Sequence, residues 1–402
     1  MSALTEVPAM APPPTAGTLH DGPWPQARRA ARLAARQPLP AIEAELAAAL
    51  GHTLAAPLAA LTDLPAFDTS AMDGWAVSGP GPWRPAGRVL AGQDAAPLAD
   101  GEAVEIATGA QLPPGATGVL RREHGRTEHG LLYALGEVAP GQDVRPRGQE
   151  CRGGEALLPA GTPVTPAVLG LAAACGHDRL TVHRRPTVEL LLLGDELLDS
   201  GLPQTGRVRD ALGPMLAPWL SAAGAELTGR RQVRDDFGLL RDAVRHSPAD
   251  VVITTGGTAA GPVDFLHAAL EASGAHLLVD GVAVRPGHPM LLAELPGGRH
   301  LVGLPGNPLA AVAGAVTLAL PLLHGLSGRP GPDLRTEPAA VDLPGHPTDT
   351  RLLPVVRTDQ GVVPLAFDGP AMLRGLALAE ALAVVPPGGV PAGGRTELLP
   401  AP

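Results

Sequence analysis

The sequence predicts a multidomain α/β protein: a doubly wound, mostly parallel sheet domain, an inserted β unit, a mixed α/β linker domain and a small C-terminal β domain. Three observations point there. At 402 residues the chain exceeds one ordinary core, since domains average ~150 residues. Between residues 184 and 328, fully apolar runs of strand length alternate with helical patterns, which is the grammar of a parallel sheet covered on both faces. Elsewhere, 51 Gly and 46 Pro cut the chain into short runs bounded by turns.

Composition narrows the function. A hydrophobic fraction of 45% with 17% charged residues excludes a disordered chain or a coiled coil. A net charge of −10 argues against a nucleic-acid partner, which calls for a basic face. All 30 basic residues are Arg, so a Walker A lysine, a pyridoxal Schiff base and a lysine adenylate are excluded, each needing a primary amine. Cys151 and Cys175 lack zinc-knuckle spacing and read as buried or idle thiols in a reducing, cytoplasmic compartment.

In chain order, residues 1–20 read as a loose Pro- and Ala-rich tail without the basic start and apolar stretch of a signal peptide. Residues 26–37 are a helical pattern whose Arg28, Arg32 and Arg36 mark a solvated face, and residues 42–50 a second helix ended by Gly51. From 52 to 143, short apolar runs such as 75–77, 103–106 and 118–120 alternate with turns, giving the inserted β unit. Residues 144–183 return to mixed helix and turn, with 166–175 helical, so 21–51 and 144–183 form one discontinuous domain around the insertion.

In the α/β domain, 184–328, residues 187–193, 250–255 and 300–304 are buried strands. Residues 212–223, 237–246, 264–273 and 309–323 are helices. The last holds Pro321 and spans roughly 22 Å at ~1.5 Å per residue, short of a bilayer core, so it is a buried helix and no membrane is implied. Residues 329–402 form the C-terminal β domain.

Ligands of open parallel sheets bind beyond the carboxyl ends of the strands. The residues there are Gly194-Asp195-Glu196, then Gly256-Gly257-Thr258 with Gly261 and Asp264, then Pro305-Gly306-Asn307-Pro308 leading into a helix. Asn307 suits an N-cap and Pro308 the first helical position; free N–H groups there and at the Gly-Gly turn would cradle an anion. Asp195, Glu196, Asp210, Asp235 and Asp264 crowd the same edge. Two such charges ~4 Å apart repel by about 4 kcal/mol at an effective dielectric of ~20, so acids and an anionic ligand need a cation between them. Oxygen ligands alone favour Mg²⁺, with Asp195, Glu196, Asp210 and Asp264 as its set. No G-x-G-x-x-G follows the first strand, which disfavours a dinucleotide oxidoreductase, and no G-x-S-x-G appears.

In the β unit, Asp73-Gly74 alone would be a hairpin turn. The full string Pro65-Ala66-Phe67-Asp68-Thr69-Ser70-Ala71-Met72-Asp73-Gly74-Trp75-Ala76-Val77 resembles the signature of the molybdopterin molybdenumtransferases, the MoeA family related to the C-terminal domain of gephyrin. Thr108-Gly109-Ala110, Gly194-Asp195-Glu196-Leu197, Thr255-Gly256-Gly257-Thr258, Asp264 and Gly303-Leu304-Pro305-Gly306-Asn307-Pro308 follow in that family's order.

The resemblance implies an elongated homodimer that takes adenylylated molybdopterin and molybdate, inserts the metal and releases AMP with Mg²⁺, and that has the molybdopterin adenylyltransferase as a partner. It implies Asp73 and Thr108 reaching across the dimer, and Glu196, Asp235 and Asp264 serving the metal and phosphates. Substrate would meet Gly256, Gly257, Thr258, Arg285, His288, Pro305, Gly306, Asn307 and Pro308. The family's Lys-Pro-Gly-Lys-Pro is here Arg285-Pro286-Gly287-His288-Pro289. Its hydroxyl and amide donors are replaced at Leu193, Ala211, Leu212, Ala259, Ala310 and Pro370. These losses motivate the alternative of a non-catalytic paralogue that carries or hands over the pterin.

Overall fold

The computed structural model describes residues 17–94, 96–203, 205–258, 265–331 and 334–402. They fall into two compact units. One holds the described residues up to Ala41 together with Gly51–Thr53 and His183–Pro402, and the other holds Ile42–Leu50 and Leu54–Val182.

The first unit is built on one mixed sheet. Its parallel part runs in the order Glu226–Val233, Thr187–Leu193, Val251–Thr255, Arg299–Leu304. Leu291–Leu295 and His276–Arg285 continue it antiparallel, and Leu19–Pro23 pairs in parallel with His276–Arg285. Helices cover both faces. Trp24–Ala34, Leu212–Ala222 and the long helix Pro308–Leu326 pack one core with Val188, Leu190, Ile253 and Val302. Phe237–His246 and Leu266–Ala272 pack the other with Leu191, Val252 and Leu301. Alternate residues of each strand thus face opposite cores, which is why these runs are mainly apolar, with Glu189 paired to Arg231 at 2.7 Å.

The long helix is 19 residues, longer than the 309–323 expected, and 89% of its apolar window is buried in the protein, so it is a core helix. A π turn at Ala315–Ala319 precedes Pro321 and absorbs the missing donor. Thr317 Oγ1 in that turn donates to Ala313 O and accepts from the indole of Trp24 (2.9 Å), so the buried Trp has its partner.

Residues Arg335–Pro338, Thr350–Thr358, Gly361–Pro364, Ala381–Val385 and Arg395–Leu399 form the C-terminal β region with its own core around Leu353, Val355 and Ala383. It joins the large sheet where Val284 and Arg285 pair with Thr350 and Arg351.

The second unit contains a four-stranded sheet ordered Arg84–Val89, Glu102–Ile106, Gly74–Val77, Gly118–Arg121, matching the β texture of the sequence. A separate core gathers Ala44, Leu54, Leu58, Val168, Ala172 and Val182 around the helix Pro166–Ala174, capped by Thr165 Oγ1, which accepts from Val168 N at 3.3 Å.

Several expectations differ. Residues 42–50 are not a helix: Ala41–Glu45 is a strand beside Arg179–His183, followed by one short turn at Leu46–Ala48. Strand pairing overrides the helical propensity of an Ala- and Glu-rich stretch too short to hold itself. The helix Trp24–Ala34 packs in the first unit, with its core, rather than with residues 144–183. Arg28 and Arg32 are half-buried instead of solvated, with Arg28 stacked over the Trp24 ring at 4.9 Å; only Arg36 is exposed, paired with Glu294 at 2.8 Å. Most of the 1–20 tail lies outside the described residues.

Candidate active site

The parallel strands have the order second, first, third, fourth along the chain, so the sheet reverses direction of growth between Thr187–Leu193 and Val251–Thr255. Loops leaving such a switch point part to opposite faces and open a crevice. A cavity of about 590 Å³ lies there, lined by the residues that follow all four parallel strands. These are Leu193, Gly194 and Glu196; Arg234, Asp235 and Asp236; Thr255, Gly256 and Gly257; and Gly306, Asn307 and Pro308. Val208 to Leu212, Leu197, Leu240, Phe265 and, from the C-terminal region, Ala371 and Leu373 complete it.

Local structure places each group. Gly194 has φ 136°, and a Cβ there would lie 2.4 Å from Glu196 Oε2, so the turn requires glycine for the Glu196 carboxylate to fold back over it. Gln232 Nε2 pins the same loop, donating to Gly194 O at 2.7 Å and Leu197 O at 3.3 Å. Gly256 and Gly257 both have positive φ (88° and 68°), and Gly256 N donates to Leu304 O at 2.8 Å, locking this turn to the next strand.

The carboxylates divide into used and free. Asp210 is buried, and its Oδ1 accepts from Leu212 N and Gly213 N, both at 3.0 Å, so it caps the helix Leu212–Ala222. Asp236 Oδ1 caps Phe237–His246 through Leu239 N at 2.8 Å. Among the described residues, Asp235 Oδ2 accepts only the 3.3 Å bond from Asp195 N, and the Glu196 carboxylate has no hydrogen-bond or ion-pair partner, the residue's backbone carbonyl alone accepting, from Val208 N at 2.9 Å. Asp195 sits outside the lining, paired with Arg234 at 3.3 Å.

Other expected groups are elsewhere. Asn307 occupies the N-cap position of the long helix but makes no side-chain cap bond; instead Leu309 N and Ala310 N donate to Pro370 O at 2.9 and 3.3 Å. Thr258 and Pro305 are buried behind the lining. Arg285 Nε donates to Asp349 Oδ2 at 2.8 Å, and His288 Nε2 lies 3.0 Å from Asp21 Oδ1; neither lines the cavity. Burial pushes the Asp349 carboxyl up, but Thr348 and Arg285 outweigh it and hold it below its ordinary value. Asp264 lies outside the described residues.

Asp73 and Thr108 lie together in the second unit. Thr108 N and Oγ1 donate to Asp73 Oδ1 at 2.7 and 2.9 Å. The backbone bond first, then the hydroxyl, lowers the Asp73 carboxyl below the usual range and keeps it ionised.

Arg209 and Arg234 line the cavity, and no sequence signal marked them: each is one arginine beside an acid, the first ending the short strand Val208–Arg209 and the second in a loop. Among the described residues no three carboxylates, histidines or cysteines stand close enough to hold a metal by themselves. The four-ligand set Asp195, Glu196, Asp210 and Asp264 is therefore not assembled among the residues described, because Asp195 and Asp210 are committed to Arg234 and to a helix cap.

Fold and pocket together define the class: a doubly wound α/β domain whose switch-point crevice is lined by turn glycines, free carboxylates and arginines, suited to a phosphate-bearing ligand. Family models place it more closely. The MoeA N-terminal region (domain I and II) matches residues 23–176, a probable molybdopterin binding domain matches 189–325, and the MoeA C-terminal region (domain IV) matches 336–400. The molybdopterin molybdenumtransferase of Synechococcus elongatus is 35% identical over 288 residues, covering 67% of this chain and 72% of that protein. That of Staphylococcus aureus strain COL is 30% identical over 304 residues, covering 72% of each. The solved moeA protein of Pyrococcus horikoshii superposes with a TM-score of 0.76 at 22% identity, covering 94% of this chain and all of that one, and supports the fold. The chain belongs to the molybdopterin molybdenumtransferase family, and its role is in molybdenum cofactor biosynthesis.

Proposed function

We propose that this chain inserts molybdate into adenylylated molybdopterin and releases AMP. The observation that carries this is the convergence of all four parallel strand ends on one crevice holding Glu196 and Asp235 free of strong partners, in a chain of this family. The glycine turns let backbone approach a phosphate closely, and the apolar side chains Leu193, Leu240, Phe265 and Leu373 form walls for a flat ring.

Mg²⁺ fits the site in its usual mode, one or two carboxylates plus substrate phosphates rather than a protein cage. Glu196 and Asp235 are the residues that would hold it, and when bound it would neutralise charge developing on the phosphate that leaves with AMP. The resemblance also carries a homodimer in which Asp73 and Thr108 of one protomer serve the other's crevice, a cytoplasmic setting, and the adenylyltransferase as partner.

The test uses single substitutions. Asp73→Ala and Asp264→Ala should each abolish AMP release, and unchanged release from either overturns the reading. Mixing Asp73→Ala with Glu196→Ala protein should restore activity, because the mixed dimer has one intact site. No recovery in a mixture shown to exchange subunits would remove the shared-site arrangement.

A further inference from the structure

The motif that supplies cations in the family is occupied here. Arg285 is held by the buried Asp349, His288 by Asp21, and the first free N–H groups of the long helix by the Pro370 carbonyl. An anion in the crevice must therefore find other donors. Arg209 and Arg234 are the two cationic side chains lining it among the described residues.

They differ from the occupied pair in availability. Arg209 ends the short strand Val208–Arg209, which pairs with Leu197–Leu198 just after Glu196, and its side chain makes no hydrogen bond or ion pair among the described residues. Arg234 directly follows the edge strand Glu226–Val233; among the described residues its side chain pairs only with Asp195, at 3.3 Å, with 77% and 51% of the two side chains exposed. Such a surface pair is easily exchanged for a doubly charged ligand. A guanidinium presents two parallel N–H donors to a phosphate, so two of them approaching from different strand ends can fix its position as well as its charge. The lining carboxylates Glu196, Asp210, Asp235 and Asp236 would repel that phosphate without them.

We propose that Arg209 and Arg234 seat the phosphate of the crevice's ligand, the role that Arg285 and His288 take by motif. The assignment of that phosphate to the adenylyl group rests on the transferase reading; the anion site itself does not.

The experiment is calorimetric titration of the full chain with AMP, and with adenosine as the phosphate-free probe. Arg209→Gln and Arg234→Gln should each weaken AMP about tenfold to a hundredfold, the scale of a lost charged hydrogen bond, and leave adenosine unchanged. Arg285→Gln should stay within twofold of the parent. Both arginines are exposed, and an unchanged thermal midpoint confirms that each variant is folded. The proposal is overturned if the parent does not bind AMP, if both Gln variants bind it within twofold of the parent, if adenosine weakens equally, or if Arg285→Gln carries the loss. AMP binding that depends on the two arginines without AMP release from adenylylated molybdopterin would sink the transferase reading alone. Intact release with arginine-independent binding would sink this proposal alone.

Discussion

Replacing Asp250 by Ala should destabilise the first unit by about 2–4 kcal/mol. Asp250 opens the strand Val251–Thr255, and its carboxylate ties the start of the neighbouring strand to it. Arg184 donates through both Nη atoms at 2.8 Å, and Thr187 donates through N and Oγ1 at 2.7 Å each. Removing the acid leaves a strand-end N–H without its acceptor and a half-buried guanidinium with only the 3.3 Å bond from Nη1 to Arg185 O. Breaking a fully buried pair costs ~3–5 kcal/mol. Here 22% of the Asp250 and 37% of the Arg184 side chain remain exposed, which brings the cost down to about 2–4 kcal/mol.

Urea unfolding followed by tryptophan fluorescence reads this, because Trp24 is buried in the same unit. At an m-value of about 3 kcal/mol/M, the midpoint should fall by roughly 1 M. The pH dependence gives a second check. Burial, the largest influence, pushes the Asp250 carboxyl up, but Arg184 and Thr187 outweigh it and leave it below its ordinary value. A depressed folded pKa contributes stability that is complete above the unfolded value, ~3.9, and is lost as pH falls through the folded one. The gap between parent and variant should therefore hold from pH 7 to about 4 and close only below that. A loss under about 0.5 kcal/mol at pH 7, or a gap that widens in acid, would refute the reasoning.

Three other outcomes follow from the same geometry. Thr108→Val keeps the backbone bond to Asp73 but removes the hydroxyl, so NMR titration should find the Asp73 carboxyl shifted upward and AMP release reduced; an unmoved carboxyl contradicts the assignment. Gly194→Ala puts a methyl against the Glu196 carboxylate at a φ that disfavours L-residues, so activity should drop at least tenfold with the fold retained by circular dichroism. Burial and its Cys151 neighbour push the Cys175 thiol up to about 11, so iodoacetamide at pH 8 should label it only after unfolding, and rapid labelling of the native protein would show the thiol to be accessible.

The parts of the fold that could be read from the sequence were those whose physics is local. Thr187–Leu193, Val251–Thr255 and Arg299–Leu304 are buried on both faces and so mainly apolar, with polar residues at their ends and Glu189 paired with Arg231. The edge strand Glu226–Val233 is mostly exposed and carries Arg230, Arg231 and Gln232, which hid it. The glycine and acid loops of the site were legible because they follow those apolar strands directly. What the sequence could not show is which donors and acids are already spent. Arg285 meets Asp349 across 64 positions, the Pro370 carbonyl reaches the long helix from another region, and Asp210 looks like a ligand until its cap bonds are seen. Arg209 and Arg234 gained meaning only when the strand order brought their loops to one crevice.

The most direct test is AMP release from adenylylated molybdopterin by the purified full-length protein, with molybdate and Mg²⁺ each present or withheld. The account predicts release that requires both, which would make the hydroxyl donors replaced at Leu193, Ala211, Ala310 and Pro370 dispensable. Pterin that stays bound and adenylylated under every condition would contradict it and leave a carrier in place of an enzyme.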